Sequence, residues 1–213
     1  MMSPLQSCSL GRGPGRLQRD LLGDILTVYT ASNASSLTAA LSLAHAGDTI
    51  SLAAGNYGDV SISNKNFSSD VIISSADPTH AAVFTSLSIE SSSDIHLDHV
   101  NISYTPTAST MSWSSAVMVD SSHGITISGS VMTGGPAVNG VSQTSTTTDY
   151  TDNVIGLWAG RAITVANSSA VTVSGSEILH FDRGLVLTDA TSTTISGNNI
   201  HEDRKSTRLN SSH

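Results

Sequence analysis

The sequence predicts an all-β fold, a right-handed three-sheet parallel β-helix with one capping helix at its N-terminal end. Three observations predict it: a gapless internal repeat, apolar residues paired two apart within each repeat, and polarity carried by Ser, Thr, Asn and Gly. Hydrophobic residues make up 38% of the 213 and charged residues 12%. That balance suits turn-rich β structure, since helical surfaces normally carry far more charge.

The repeat comes first because it decides architecture before local propensity does. Residues Ala116 to Met132, Ala162 to Ile178 and Gly184 to Ile200 align without gaps, and Ser86 to Ile102 fits with Asp98-His99 where the others hold Ser-Gly. Each unit opens on an apolar pair: Leu87/Ile89, Val117/Val119, Ile163/Val165 and Leu185/Leu187. Eight residues on stands a second set, Ile95/Leu97, Ile125/Ile127, Val171/Val173 and Thr193/Ile195, and then a third position at Ile102, Met132, Ile178 and Ile200. A spacing of two sends alternate side chains to one face, so each set is a short strand with its apolar side inward. Three such strands separated by Ser-rich bends make one turn of a three-sided coil. Parallel strands in one sheet connect in a right-handed sense almost without exception, which sets the winding.

The coil length is readable from the numbering. Ile163 to Leu185 is 22 residues, while Leu87 to Val117 is 30 and Val117 to Ile163 is 46, which predicts insertions of 8 and 24 residues. Such loops are where binding residues concentrate. Ahead of the repeats, a Ser or Asn cap, Leu37 and Leu41 at helical spacing, and Gly47 as a stop predict an amphipathic helix over about 35–46. An open solenoid end exposes apolar side chains and unpaired strand edges, and a covering helix there is expected.

The β-helix is expected over residues 25–202 as one domain. Residues 1–24 have neither strand nor helix period and lack the apolar core of a signal peptide, so they are read as an unstructured or mis-assigned lead. At the other end, Asp203 to His213 (DRKSTRLNSSH) matches, codon for codon, the in-frame translation of a common short-read library adapter. The expectation is a non-native tail, with the natural protein continuing beyond Glu202.

Between residues 25 and 202, fourteen Asp and Glu face three cations, Lys65, Arg161 and Arg183, a formal charge of −11. Nucleic acid and anionic membranes are therefore poor partners. No apolar run reaches the ~20 residues of a membrane helix. Cys8 is the single cysteine and permits no internal disulfide, and the four Asn-x-Ser sequons within residues 25–202, at Asn33, Asn66, Asn101 and Asn167, are no more than a Ser-rich sequence produces by chance.

The run Thr30-Ala-Ser-Asn-Ala-Ser-Ser-Leu-Thr-Ala-Ala-Leu, followed by Ala46-Gly-Asp-Thr-Ile-Ser-Leu-Ala-Ala-Gly-Asn-Tyr57, resembles the N-terminal lead-in of bacterial β-helix repeat proteins of the pectate-lyase-like superfamily. That group includes alginate and chondroitin lyases and mannuronan epimerases. The resemblance implies the fold over about residues 27–202 and a polysaccharide partner, and leaves the activity open. The Tyr-Gly-Phe-Asp-Pro-His-Glu signature associated with mannuronan epimerases is absent.

Candidate chemistry gathers at three places. Arg161 and Arg183 are one coil apart and stand just before the first strand of successive coils, with Asp182 beside them. Trp158 and His180 are equivalent by the same 22-residue shift, and Trp113 and Phe181 enter neighbouring coils nearby. Aligned guanidinium groups and aromatic rings suit uronate carboxylates and sugar rings, with Arg161, Trp113 and Trp158 as substrate contacts. For a polyuronate lyase, Arg183 or His180 would be the base and the partner Arg or Ca²⁺ would neutralise the uronate. The plainer reading pairs Arg183 with an acid and uses the aromatics for loop packing.

Glu90 and Asp120 occupy one repeat position, so they should stack on adjacent rungs roughly 5 Å apart, close enough for Ca²⁺ to relieve their repulsion. Asp94, His96 and Asp98 alternate with Ile95 and Leu97 and should share the outer face of one strand, able to bind metal or move protons, or simply to stay solvated. His45, Asp48, His80 and His201 look isolated among solvated residues. The leading expectation is an extracellular or cell-surface protein, monomeric when complete, that binds or acts on polysaccharide as a lyase-like or epimerase-like enzyme. The alternative is a non-catalytic structural or adhesive β-helix, favoured by the scarcity of cations.

Overall fold

The computed structural model describes residues 26–107, 110, 113–136 and 160–201, with the backbone of 208–209. The first coils contain β1 (Val28–Ala31), helix α1 (Ala34–Leu43), β2 (Thr49–Leu52), β3 (Gly55–Ser63) and β4 (Asn66–Ser75). A 3₁₀ turn (Pro78–His80) leads to β5 (Ala82–Glu90), β6 (Ser93–Asp98) and β7 (Asn101–Ser103). Three further coils follow: β8 (Ser115–Asp120), β9 (His123–Ser128) and β10 (Val131–Thr133); β11 (Arg161–Ala166), β12 (Thr172–Ser174) and β13 (Glu177–Leu179); β14 (Arg183–Thr188), β15 (Thr194–Ser196) and β16 (Asn199–His201). The edge of β14 offers unpaired backbone groups that an extended segment can meet, and β17 (Arg208–Leu209) lies parallel to it.

Every strand pairing is parallel, and the register is the one the repeat predicts. Val60, Leu87, Val117, Ile163 and Leu185 stack through the first strands. Ile50, Ile73, Leu97, Ile127, Val173 and Ile195 stack through the second. Phe84, Ile102, Met132, Ile178 and Ile200 stack through the third. Together they form one continuous apolar column, buried except at its last rung, where Ile195 and Ile200 are partly exposed; each fully buried aliphatic side chain contributes about 1.5–3 kcal/mol by leaving water.

Hydrogen bonding joins the three faces into two sheets rather than three. Strand β5 turns a corner: Val83 and Phe84 pair with β7, whereas Leu87 to Glu90 pair with β8. First and third faces are thereby one ten-stranded sheet, and the second face is a separate seven-stranded one.

The Ser-rich bends are held from inside. Ser122 Oγ donates to Asp120 O (2.8 Å) and accepts the Ser92 amide (3.2 Å), while Ser168 Oγ donates to Ala166 O (2.6 Å) and accepts the Ser122 amide (3.0 Å). Ser130 and Ser176 repeat this at the next bend, where the Asn198 side chain accepts the Ser176 amide (2.9 Å). These serines are 5% exposed or less, so each rung satisfies a buried N–H of the rung before it. The first bend needs a left-handed residue, which Asn64, Ser91, Ser121, Asn167 and Asp189 supply with φ near 50°.

Helix α1 begins on Asn33, whose side chain accepts the Ser36 amide while Ser36 Oγ accepts the Asn33 amide. It stops at Leu43, short of the expected 46, because Ala44 is already extended. Leu37, Ala40 and Leu41 face the solenoid end. Asp48 is not solvated, as its sequence context suggests, but 4% exposed. Its carboxylate accepts the His45 amide (2.8 Å) and the Thr27 amide (2.7 Å), and these bonds hold it below the ordinary carboxyl pKa. Among the described residues no helix is long and apolar enough to cross a membrane.

Candidate functional site

Both insertions enter at one corner, between the third strand of one coil and the first strand of the next. The segments are 104–114 and 134–160, and the uninserted coil crosses the same corner with His180, Phe181 and Asp182 alone. Phe181 is fully buried and stacks on Tyr104 with ring centroids 6.2 Å apart. Gly134 is required here: a Cβ on it would collide with the His180 carbonyl oxygen. Trp113 stands 56% exposed just before β8, with its carbonyl accepting the Ser115 hydroxyl (3.4 Å). Trp158 and Asp152 lie outside the described residues.

Arg161 and Arg183 are in-register neighbours, as expected, with Ser115 next in the row. They do not form the exposed strip that the sequence suggests: both positions are partly withdrawn from solvent at the corner. The Arg183 side chain is 12% exposed, and its Nε lies 3.7 Å from Asp182 Oδ2. Arg161 is half-buried, with Nε lacking a hydrogen-bond partner among the described residues. Burial pulls its guanidinium below the ordinary pKa and Asp182 opposes the shift. An arginine held this way remains a cation and cannot serve as a base, which leaves His180 the corner's titratable base candidate.

The outward positions of the first face form the accessible surface. Ser86 Oγ donates to Asp59 (2.7 Å) and Ser88 Oγ to Ser61 Oγ (2.9 Å), making cross-strand hydroxyl ladders. Further along, the outward Thr164 and Val186 are 4% and 8% exposed, so the open part spans β3, β5 and β8. Glu90 and Asp120 pair in register at its edge. Asp120 accepts a hydrogen bond from the Asn167 side-chain amide (2.9 Å), and among the described residues no three His, Cys, Asp or Glu side chains are grouped to hold a metal. Two carboxylates fall short of the six to eight oxygens calcium prefers.

The second face carries a hydrogen-bonded chain. Ser128 Oγ donates to Asp98 Oδ1 (2.8 Å), His96 Nε2 lies 2.8 Å from Ser128 Oγ, and His99 Nδ1 lies 2.8 Å from Asp98 Oδ1. Partial burial raises the Asp98 carboxyl pKa, but the His99 and Ser128 hydrogen bonds and the nearby imidazoles outweigh this, and the net shift is downward. Asp94 turns to Gly124 instead, where a Cβ would meet its Oδ1 at 2.7 Å. The sequence placed His96 and Asp98 on one face but missed His99 and Ser128, which reach the chain from a bend and from the neighbouring rung. Asp77–His80 (2.9 Å), within one turn, and Glu177–His201 (3.0 Å), between neighbouring rungs, are solvent-facing pairs.

Residues 85–212 match the sequence profile of the right-handed β-helix region. No curated protein matches the chain. Among solved structures, an alginate lyase from Paenibacillus sp. str. FPU-7 superposes with a TM-score of 0.57 at 17% identity, over 82% of this chain and 58% of that one. A mannuronic acid specific polysaccharide family 6 lyase from human gut microbiota gives a TM-score of 0.36 at 9% identity, over 86% of this chain and 62% of that one. The chain thus spans about three fifths of the length of each.

Proposed function

We propose, from the premise that this chain belongs to the right-handed β-helix family, that it is an extracellular or cell-surface protein that binds polysaccharide across the outer first face beside the insertion corner. One observation carries the reading: the exposed Trp113 ring stands where the loop hands over to β8, in the sheet whose strands β3 and β5 carry the hydroxyl ladders. An exposed indole and a polar ladder on one sheet supply an apolar ring face and hydrogen-bonding groups, which is what a sugar chain requires. The likeness to an alginate lyase supports a carbohydrate partner through the fold it shares with this chain.

The chemistry this corner can support is β-elimination: His180 takes the C5 proton next to a uronate carboxylate, Arg161 reduces the charge that develops, and the bond from C4 to the glycosidic oxygen breaks as the C4–C5 double bond forms, the departing oxygen taking a proton from water. A purely adhesive role draws support from the Arg183–Asp182 pair, which commits one cation to packing.

The experiment measures retardation and turnover on alginate, pectate and chondroitin sulfate. Trp113→Ala should weaken binding about tenfold, near 1.4 kcal/mol, and His180→Ala should abolish unsaturated product while leaving binding unchanged. Equal binding by Trp113→Ala and wild type would remove this surface, and binding without unsaturated product from wild type would establish the adhesive role.

A further inference from the structure

One rung departs from the repeat at three outward positions together. Three coils read Thr126-x-Ser128-Gly129, Thr172-x-Ser174-Gly175 and Thr194-x-Ser196-Gly197, whereas β6 and its bend read His96-x-Asp98-His99. His99 has φ 50° where the other coils have glycine, a left-handed conformation that costs a side-chain-bearing residue roughly 1–2 kcal/mol. Its ring lies over Gly129, where a Cβ would be 2.8 Å from Nε2. The next rung therefore makes room for the imidazole. Local strain combined with a loss of repeat consistency marks a position held for something other than folding.

Hydrogen-bond direction fixes what this rung presents. Ser128 has one proton, and it goes to Asp98, so the bond between Ser128 Oγ and His96 must be donated by His96 Nε2. The ionised Asp98 likewise takes its second bond from His99 Nδ1–H. Asp98 Oδ2, His96 Nδ1 and His99 Nε2 remain, each a lone pair with no partner among the described residues. Beyond them run two columns of uncharged hydroxyls, Thr126–Thr172–Thr194 and Ser128–Ser174–Ser196, at the rung spacing of about 4.8 Å.

We propose that the His96–Asp98–His99 rung and these hydroxyl columns form a second saccharide-binding site, on a different face from Trp113, that takes the hydroxyl groups of a neutral polysaccharide. Sugar hydroxyls supply the donors that three free lone pairs need, and their oxygens accept from Ser and Thr. Asp94 and Asp98 repel uronates from this face, which selects an uncharged polymer. The site rests on the reading that the chain binds polysaccharide and adds which class of polymer this face takes.

The test is affinity electrophoresis of the full chain in gels holding mannan or alginate. The triple variant His96→Thr, Asp98→Ser and His99→Gly restores the pattern of the other coils and relieves the left-handed strain, so it should melt no lower than wild type. It should lose at least tenfold in mannan affinity and keep its alginate affinity, while Trp113→Ala should do the reverse. Three results overturn the site: wild type passing mannan gels unretarded, equal mannan retardation of wild type and the triple variant, or retardation that requires added Zn²⁺. None of the three touches alginate binding through Trp113.

Discussion

Replacing Phe181 by Ala should destabilise the protein by about 3–5 kcal/mol, the largest effect expected of a single truncation at this corner. Phe181 is fully buried, its ring stacks on Tyr104, and its edge packs against Gly134. Removing the ring opens a cavity where the uninserted coil and the 104–114 loop meet, and also removes an aromatic pair worth ~0.5–1.5 kcal/mol beyond its area. For a domain of this size that lowers the melting temperature by roughly 6–20 °C. Phe181→Leu should recover most of the loss, because it refills the volume without the stacking. A Phe181→Ala protein that melts within a degree or two of wild type would mean that the corner is not packed as described.

The second large effect separates two adjacent serines by sign. Ser122→Ala should cost about 1–3 kcal/mol, the penalty for a buried donor left without a partner: Ser122 is 5% exposed, and its hydroxyl accepts the amide of Ser92, itself 2% exposed. Ser121→Gly should instead stabilise by ~0.5–1 kcal/mol, since Ser121 has φ 51° and glycine accepts that conformation freely. Denaturant titrations of the two variants measure both. Like signs for the pair would show that the bends are not built on a buried hydroxyl ladder.

Much of this fold could be read directly from the spacing of apolar residues. The rows Leu87–Val117–Ile163–Leu185 and Ile102–Met132–Ile178–Ile200 stand in register at the offsets the repeat predicts. The insertion lengths were legible too, while their common corner comes from the strand bounds. What escaped the reading depends on features that one-dimensional spacing does not carry. The bend in β5, which merges two faces into one sheet, is a matter of backbone curvature. Asp48 is buried because two amides from separate segments converge on it.

The arginines are a different case. Their register was present in the sequence, in the 22-residue shift that makes them equivalent, whereas their withdrawal from solvent is set by the packing of the corner. For the His96 rung, the repeat alignment already set Asp98-His99 apart from Ser-Gly. Only the three-dimensional register shows that Ser128 completes the chain.

The claim that polysaccharide lies across the first face is tested most directly by the fluorescence of Trp113 in a Trp158→Phe background, where it is the sole indole of the chain. Titration with alginate should give a saturable blue shift and quench as the ring, 56% exposed when free, is covered. Its midpoint should agree with the affinity found by gel retardation. Alginate retardation at the same concentrations with no change in Trp113 emission would contradict the account and move the binding surface elsewhere on the solenoid.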